Sequence, residues 1–201
     1  MKKAWIAVAA AAAVLAPVAQ AQDTGSWLVR GHALYLDSAN KDSTGLDLSV
    51  NNKTFPEVDI SYFMTPNLAL ELVLTYPQKH DIRAGGTKIG TLKHLPPTLS
   101  FQYHFTGMGV RPYVGAGLNY THFSNVEFDS AVNAALQPTI KKNSYGLALG
   151  AGVDVPLGGG WLFNADVKKV QINTTVYSFG AEAGTFKVDP LLFGVGIGKR
   201  F

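Results

Sequence analysis

Cysteine is absent from the 201-residue sequence. A protein exported to a compartment that permits disulfides, yet lacking them, must be held by its own hydrogen-bond closure, which excludes the small disulfide-stapled scaffolds. Charge is scarce too: Asp, Glu, Lys and Arg make up 15% of the chain, against roughly 25% in ordinary soluble domains. The formal net charge is +3, with no basic stripe interleaved with aromatics, so no nucleic-acid partner is expected. No apolar run reaches the roughly 20 residues that a membrane-crossing helix needs. After residue 21 no amphipathic stretch is long enough to form a helix covering a sheet. His32, His80, His94 and His104 are scattered without metal-ligand spacing, and no Walker-type or Rossmann loop is present, so no metal and no cofactor are expected.

What is present begins with an export signature. Met1-Lys2-Lys3 is a positive n-region, residues 4–16 are an apolar stretch, and Ala19-Gln20-Ala21 is a small-x-small cleavage site. The expectation is a signal peptide at 1–21 and one domain at 22–201, whose net charge falls to about +1 once Lys2 and Lys3 are removed. Glycine is plentiful, with 21 residues, and aromatics reach 11%.

The glycines follow a strand period. In the last stretch, residues 187–201, Leu191, Phe193, Val195, Ile197 and Phe201 fall on one face, and Leu192, Gly194, Gly196, Gly198 and Arg200 on the other. A greasy face opposite a small or charged one fits a barrel in lipid, and it also fits the last strand of a soluble sandwich or lipocalin-like barrel. The same alternation recurs upstream. Pro56, Val58, Ile60, Tyr62 and Met64 oppose Phe55, Glu57, Asp59, Ser61 and Phe63, and no soluble core fills itself with unpaired carboxylates. Strands are expected at 27–36, 54–64, 68–76, 97–105, 110–123, 144–155, 161–174 and 187–201. Short turns at 65–67, 106–109 and 156–160 alternate with long connections at 37–52, 77–95, 124–142 and 175–186. A hairpin extension fits residues 46–50, and two helical turns fit 129–136 behind an Asp cap. The fold class is therefore all-β: an eight-stranded antiparallel transmembrane β-barrel with short periplasmic turns and long extracellular loops.

A barrel of eight strands has a lumen filled by side chains or holding one small ligand. Inward Phe55, Phe63, Tyr113, Gly115, Gly117, Phe123, Leu162 and Leu192 are candidates to line an apolar path, with the inward glycines leaving space. Arg30, Glu57, Asp59, Glu71 and Arg200 form a polar floor, or pair across the lumen as a structural plug. Pro96 and Pro97 each remove a ladder donor, which makes their junction a candidate lateral exit; alternatively they only start a strand.

Several segments resemble the OmpW family of outer-membrane proteins: His94-Leu95-Pro96-Pro97-Thr98-Leu99, the run Arg111 to Thr121 reading RPYVGAGLNYT, the 74–82 stretch with Pro77 and His80, Asp189-Pro190, and the Lys199-Arg200-Phe201 end. The resemblance covers essentially the whole mature chain. It implies a monomeric barrel in the bacterial outer membrane, surrounded by lipid and lipopolysaccharide, with a hydrophobic passage for small apolar solutes like that of the related alkane-uptake proteins. It also implies colicin or phage as partners of the extracellular loops. Lys168-Lys169 stands where relatives carry aromatics beside the channel, and Lys199 replaces the usual aromatic or apolar residue third from the end.

Two other readings stay open at this stage. A plugged structural or receptor barrel would work through its loops alone. His122-Phe123-Ser124-Asn125 is similar to the His-x-Ser-Asn core of outer-membrane lipid A deacylases, in which His activates Ser. With no acid at a comparable spacing to orient the His, no catalytic residues are expected and the protein is read as a non-enzyme.

Overall fold

The computed structural model describes residues 26–201, so the segment read as a signal peptide lies outside the described residues. Period-two alternation with turn residues between dictates a succession of strands: β1 (Trp27–Asp37), β2 (Lys41–Asp42), β3 (Leu48–Val50), β4 (Lys53–Phe63), β5 (Leu68–Leu74), β6 (Gln78–Ala84), β7 (Thr87–Leu95), β8 (Thr98–His104), β9 (Arg111–Phe128), β10 (Thr139–Ile140), β11 (Asn143–Gly158), β12 (Trp161–Val170), β13 (Asn173–Ser178), β14 (Ala181–Lys187) and β15 (Leu191–Arg200). The short helix α1 (Ser130–Leu136) follows β9. It starts after Asp129 as the sequence predicts, although that carboxylate makes no capping hydrogen bond.

Strands β1, β4, β5, β8, β9, β11, β12 and β15 pair in that order, all antiparallel, and β15 returns to β1 with Leu28 opposite Arg200 and Asp37 opposite Leu191. The ring is closed, so the barrel itself has no free edge. Burial alternates strictly along β1 and β4, with Leu28, Arg30, His32 and Leu34 inside and Trp27, Val29 and Tyr35 outside. Leu118 is 67% exposed and Leu149 61%. An apolar belt on the convex face is what hydrocarbon requires. Trp27 stacks near Tyr62 at the short-turn end, and Tyr120 meets Tyr145 at the other, centroids 4.9 and 5.1 Å apart. These are the two interfacial girdles.

At the long-loop end the structure differs from the sequence expectation. The connection at 77–95 is a hairpin, β6–β7, turning at Gly85-Gly86, both at positive φ. β9 runs past residue 123 to Phe128 because β7 continues its ladder, with His94 opposite Phe123 and Gly90 opposite Phe128. A strand, β3, does form within residues 46–50, but it pairs with β6 of the next long connection and not within its own. The fourth connection folds as β13–β14, flanked by β10 and β2 in a separate four-stranded sheet. The charges of these segments, Lys79, Asp81 and Lys93 among them, face outward. Their alternate residues, Ile82, Leu92, Val176 and Phe186, pack inward in one apolar cluster with Leu34, Phe55 and Leu192 of the barrel.

Candidate functional site

Seven of the eight barrel strands send polar side chains into one buried network across the lumen. Arg30 on β1 is fully buried and grips Asp154 of β11 bidentately, Nε to Oδ1 at 3.0 Å and Nη2 to Oδ2 at 2.7 Å. Its Nη1 donates to Glu71 Oε2 at 2.9 Å and to Ser61 Oγ at 3.1 Å. Gln102 of β8 caps the other Glu71 oxygen, and Asn164 of β12 donates to Asp154 and to the Tyr113 hydroxyl. A planar guanidinium held by two carboxylates is the geometry for which arginine is suited.

The second half of the network is centred on Lys168. Its Nζ lies 2.5 Å from Glu57, 3.2 Å from Asp59 and 3.3 Å from Asp166. His32 bridges the halves, Nδ1 3.2 Å from Asp59 and Nε2 2.8 Å from Asn164 Oδ1. Lys168 stands where relatives carry an aromatic beside the channel; its stem lies beside Gly150, and its ammonium turns into the carboxylates. Lys169 faces outward and donates to the Asp189 carbonyl. His32, Glu57, Asp59 and Asp166 also bring four ligand atoms within 4.8 Å, a grouping that strand spacing could not reveal. The Lys168 ammonium already supplies the cation at its centre.

The glycine expectation needs correction. The space beside most inward glycines is not empty, because a Cβ on Gly152 would lie 2.4 Å from the Tyr113 hydroxyl, on Gly194 2.5 Å from Asp166, and on Gly196 2.6 Å from the His32 ring. Large neighbours lean over these positions, as aromatic rings do over strand glycines. Gly117 likewise faces the Leu99 carbonyl and Ser100. Gly115 and Gly150 are roomier and line a cavity.

That cavity, about 730 Å³ when the solvent space open to it is counted, stands on the network. Leu34, Phe55, Ala148, Val170 and Leu192 form its upper wall; Glu57, Glu71, Tyr113 and Lys168 form its floor. Above it, a second cavity, about 540 Å³ with its open solvent space counted, is lined by Leu48, Ile82, Leu92, Val132, Val176 and Phe186, between the loop strands and α1. Phe123 belongs to the apolar cluster that runs from one to the other. Thus Phe55, Tyr113, Gly115 and Leu192 of the sequence-predicted path come together. Phe63 and Leu162 do not: with Leu28 and Ala69 they form a separate apolar cluster at the short-turn end. Arg200 stacks over Phe63 there, 3.9 Å from the ring centroid.

The wall beside the lower cavity is interrupted. The β5–β8 ladder ends at Val73 opposite Thr98, and the β6–β7 ladder starts at Gln78 opposite His94. Among the described residues no backbone hydrogen bond joins residues 74–77 to 95–97 across this stretch, which contains Pro77, Pro96 and Pro97. On the β9 side the proline carbonyls are taken up by Asn119 Nδ2, at 3.1 and 3.2 Å, and by the Tyr120 amide. On the other side the gap is flanked by Thr75, Pro96 and Thr98, all of which line the cavity.

The sequence matches the OmpW family over residues 24–201. The chain belongs to the OmpW family. Outer membrane protein W of Vibrio cholerae is 34% identical over 217 residues, covering 100% of both chains. The dibenzothiophene metabolism operon protein PahQ of Pseudomonas aeruginosa is 28% identical over 84% of this chain and 80% of its own. The crystal structure of the outer membrane protein OprG from Pseudomonas aeruginosa superposes with a TM-score of 0.77 at 27% identity, over 88% of this chain and 96% of that one. As an OmpW-family barrel the protein resides in the bacterial outer membrane, with short turns in the periplasm and the β6–β7 and β13–β14 hairpins outside. His122 of this barrel bonds Asn143 Oδ1 at 2.8 Å through Nδ1, and no hydrogen bond links it to Ser124.

Proposed function

We propose that this barrel is a narrow passage for small apolar molecules across the outer leaflet, with lateral release into lipid. One observation carries it: a largely apolar cavity, joined by a buried apolar cluster to a second apolar cavity between the loops, is closed below by buried ion pairs and abuts a proline-interrupted stretch of wall. A solute shielded from lipopolysaccharide by the loops enters the upper cavity and descends past Phe123. The charged floor repels it, because dehydrating those ions for an apolar guest returns nothing. The remaining way out is sideways, between residues 74–77 and 95–97. The operon context in PahQ's name, the metabolism of an aromatic sulfur heterocycle, suits such a solute.

Gly150→Trp tests this. A Cβ there meets only the Lys168 stem at 3.4 Å and the Val167 carbonyl at 3.5 Å, so an indole is directed into the cavity. Uptake of naphthalene by whole cells is expected to fall to that of cells lacking the barrel, with the folded band still visible by heat-dependent gel mobility. Equal uptake by blocked and unblocked barrels overturns the passage. The network that closes the lumen is equally what a structural or receptor barrel needs, so that outcome leaves the loops, and partners such as colicin or phage, as the working part.

A further inference from the structure

Between the two cavities lies a belt of polar groups that the apolar passage does not explain. Gln78 and His80 share the inward face of β6 with Ile82, which lines the upper cavity; His94, opposite Gln78 on β7, lines the lower one. All three side chains are buried to within 1% of complete. The His80 and His94 rings stack at 4.7 Å, 11° from parallel. Gln78 Oε1, His80 Nε2 and His94 Nε2 have no hydrogen-bond partner.

The bonds these residues do make fix what is left over. His80 Nδ1 lies 2.9 Å from the Asn51 carbonyl, which can only accept, so Nδ1 carries the proton and Nε2 keeps a lone pair. Gln78 donates its amide to the Tyr76 carbonyl and the Thr75 hydroxyl, leaving Oε1 an acceptor. Two acceptors, buried and unmatched, therefore stand between the two cavities, beside His94 of the lower one and Ile82 of the upper. Parallel stacked imidazoles cannot converge their lone pairs on one metal ion, so the complementary group is a hydrogen-bond donor.

Resting on the passage reading above, we infer that the preferred solute is an apolar molecule bearing one hydroxyl or N–H donor, of the phenol, alcohol or indole class, which bonds Gln78 Oε1 or His80 Nε2 as it passes between the cavities. A bare hydrocarbon leaves these acceptors unmatched, and one neutral hydrogen bond regained is worth about three- to tenfold in affinity.

The test compares p-cresol with 4-methylanisole, which differ little but for the donor. In whole-cell uptake, wild type is expected to favour p-cresol by about three- to tenfold over the ratio in cells without the barrel. His80→Phe and Gln78→Leu are each expected to bring that ratio down towards the barrel-free one. In purified barrel in lipid nanodiscs, the ¹⁵N signal of His80 Nε2 is expected to move with p-cresol and to stay put with 4-methylanisole. Uptake of both solutes with an unchanged ratio in the variants and no selective ¹⁵N response overturns the inference while the passage stands. A selective ¹⁵N response without uptake of either solute supports the donor site and sinks the passage.

Discussion

Arg30 shows how much one side chain can organise in a lumen this small. It has no exposed surface, and its three nitrogens reach three other strands. Removing one partner of a buried ion pair leaves the other charge stranded, at a cost of about 3–5 kcal/mol. Arg30→Met strands both Glu71 and Asp154, so we expect it to lower barrel stability by at least that range, read as the urea midpoint of tryptophan fluorescence in micelles. The direction of each inward residue was legible in the sequence, because a strand's period of two leaves no choice once one face is apolar. Who meets whom was not. That Arg30 finds Asp154, more than a hundred residues away, depends on the register and curvature of a closed ring. The glycines misled for a related reason: the sequence shows that they are small, but not that Tyr113, Asp166 and His32 occupy the room beside them.

Among the elements, the β6–β7 hairpin departs most from its reading as a loop. Its alternation, Gln78, His80 and Ile82 inward with Lys79, Asp81 and Arg83 outward, is visible once its partner is known. The prolines at 77, 96 and 97 hid it, since they mark the ends of an extended run as readily as they mark a loop. The hairpin lies above the aromatic girdle, and burial there pushes the His94 imidazole down to about 3, helped by His80 and Lys53. His80 is shifted down too, by burial above all. A folded value below the ordinary ~6.5 means that beneath pH 6.5 the unfolded segment binds protons which the folded hairpin refuses. Stability contributed here is complete above about pH 6.5 and is lost as pH falls towards 3. Hydrogen exchange of the β6 and β7 amides is expected to quicken between pH 6.5 and 4.5, while amides of β12 and β15 in the barrel keep their protection relative to the intrinsic rate.

For the whole molecule, the eight-stranded count and the rhythm of short and long connections followed from spacing alone. The height of the structure outside the membrane did not, because the second sheet joins β2, β10, β13 and β14 from three separate connections. The export reading of residues 1–21 has its own check: Edman degradation of the protein from outer membranes is expected to begin at Gln22, and a start at Met1 would refute cleavage. β1 and β15 are the strands furthest apart along the polypeptide, yet they are bonded neighbours, and Phe201 and Trp27 exchange backbone hydrogen bonds. Every partly assembled intermediate therefore has two raw margins that neither lipid nor a neighbouring strand can satisfy. Joining that seam closes the longest loop the chain offers, so docking of the two ends, and not the making of any one hairpin, is expected to pace production of this protein.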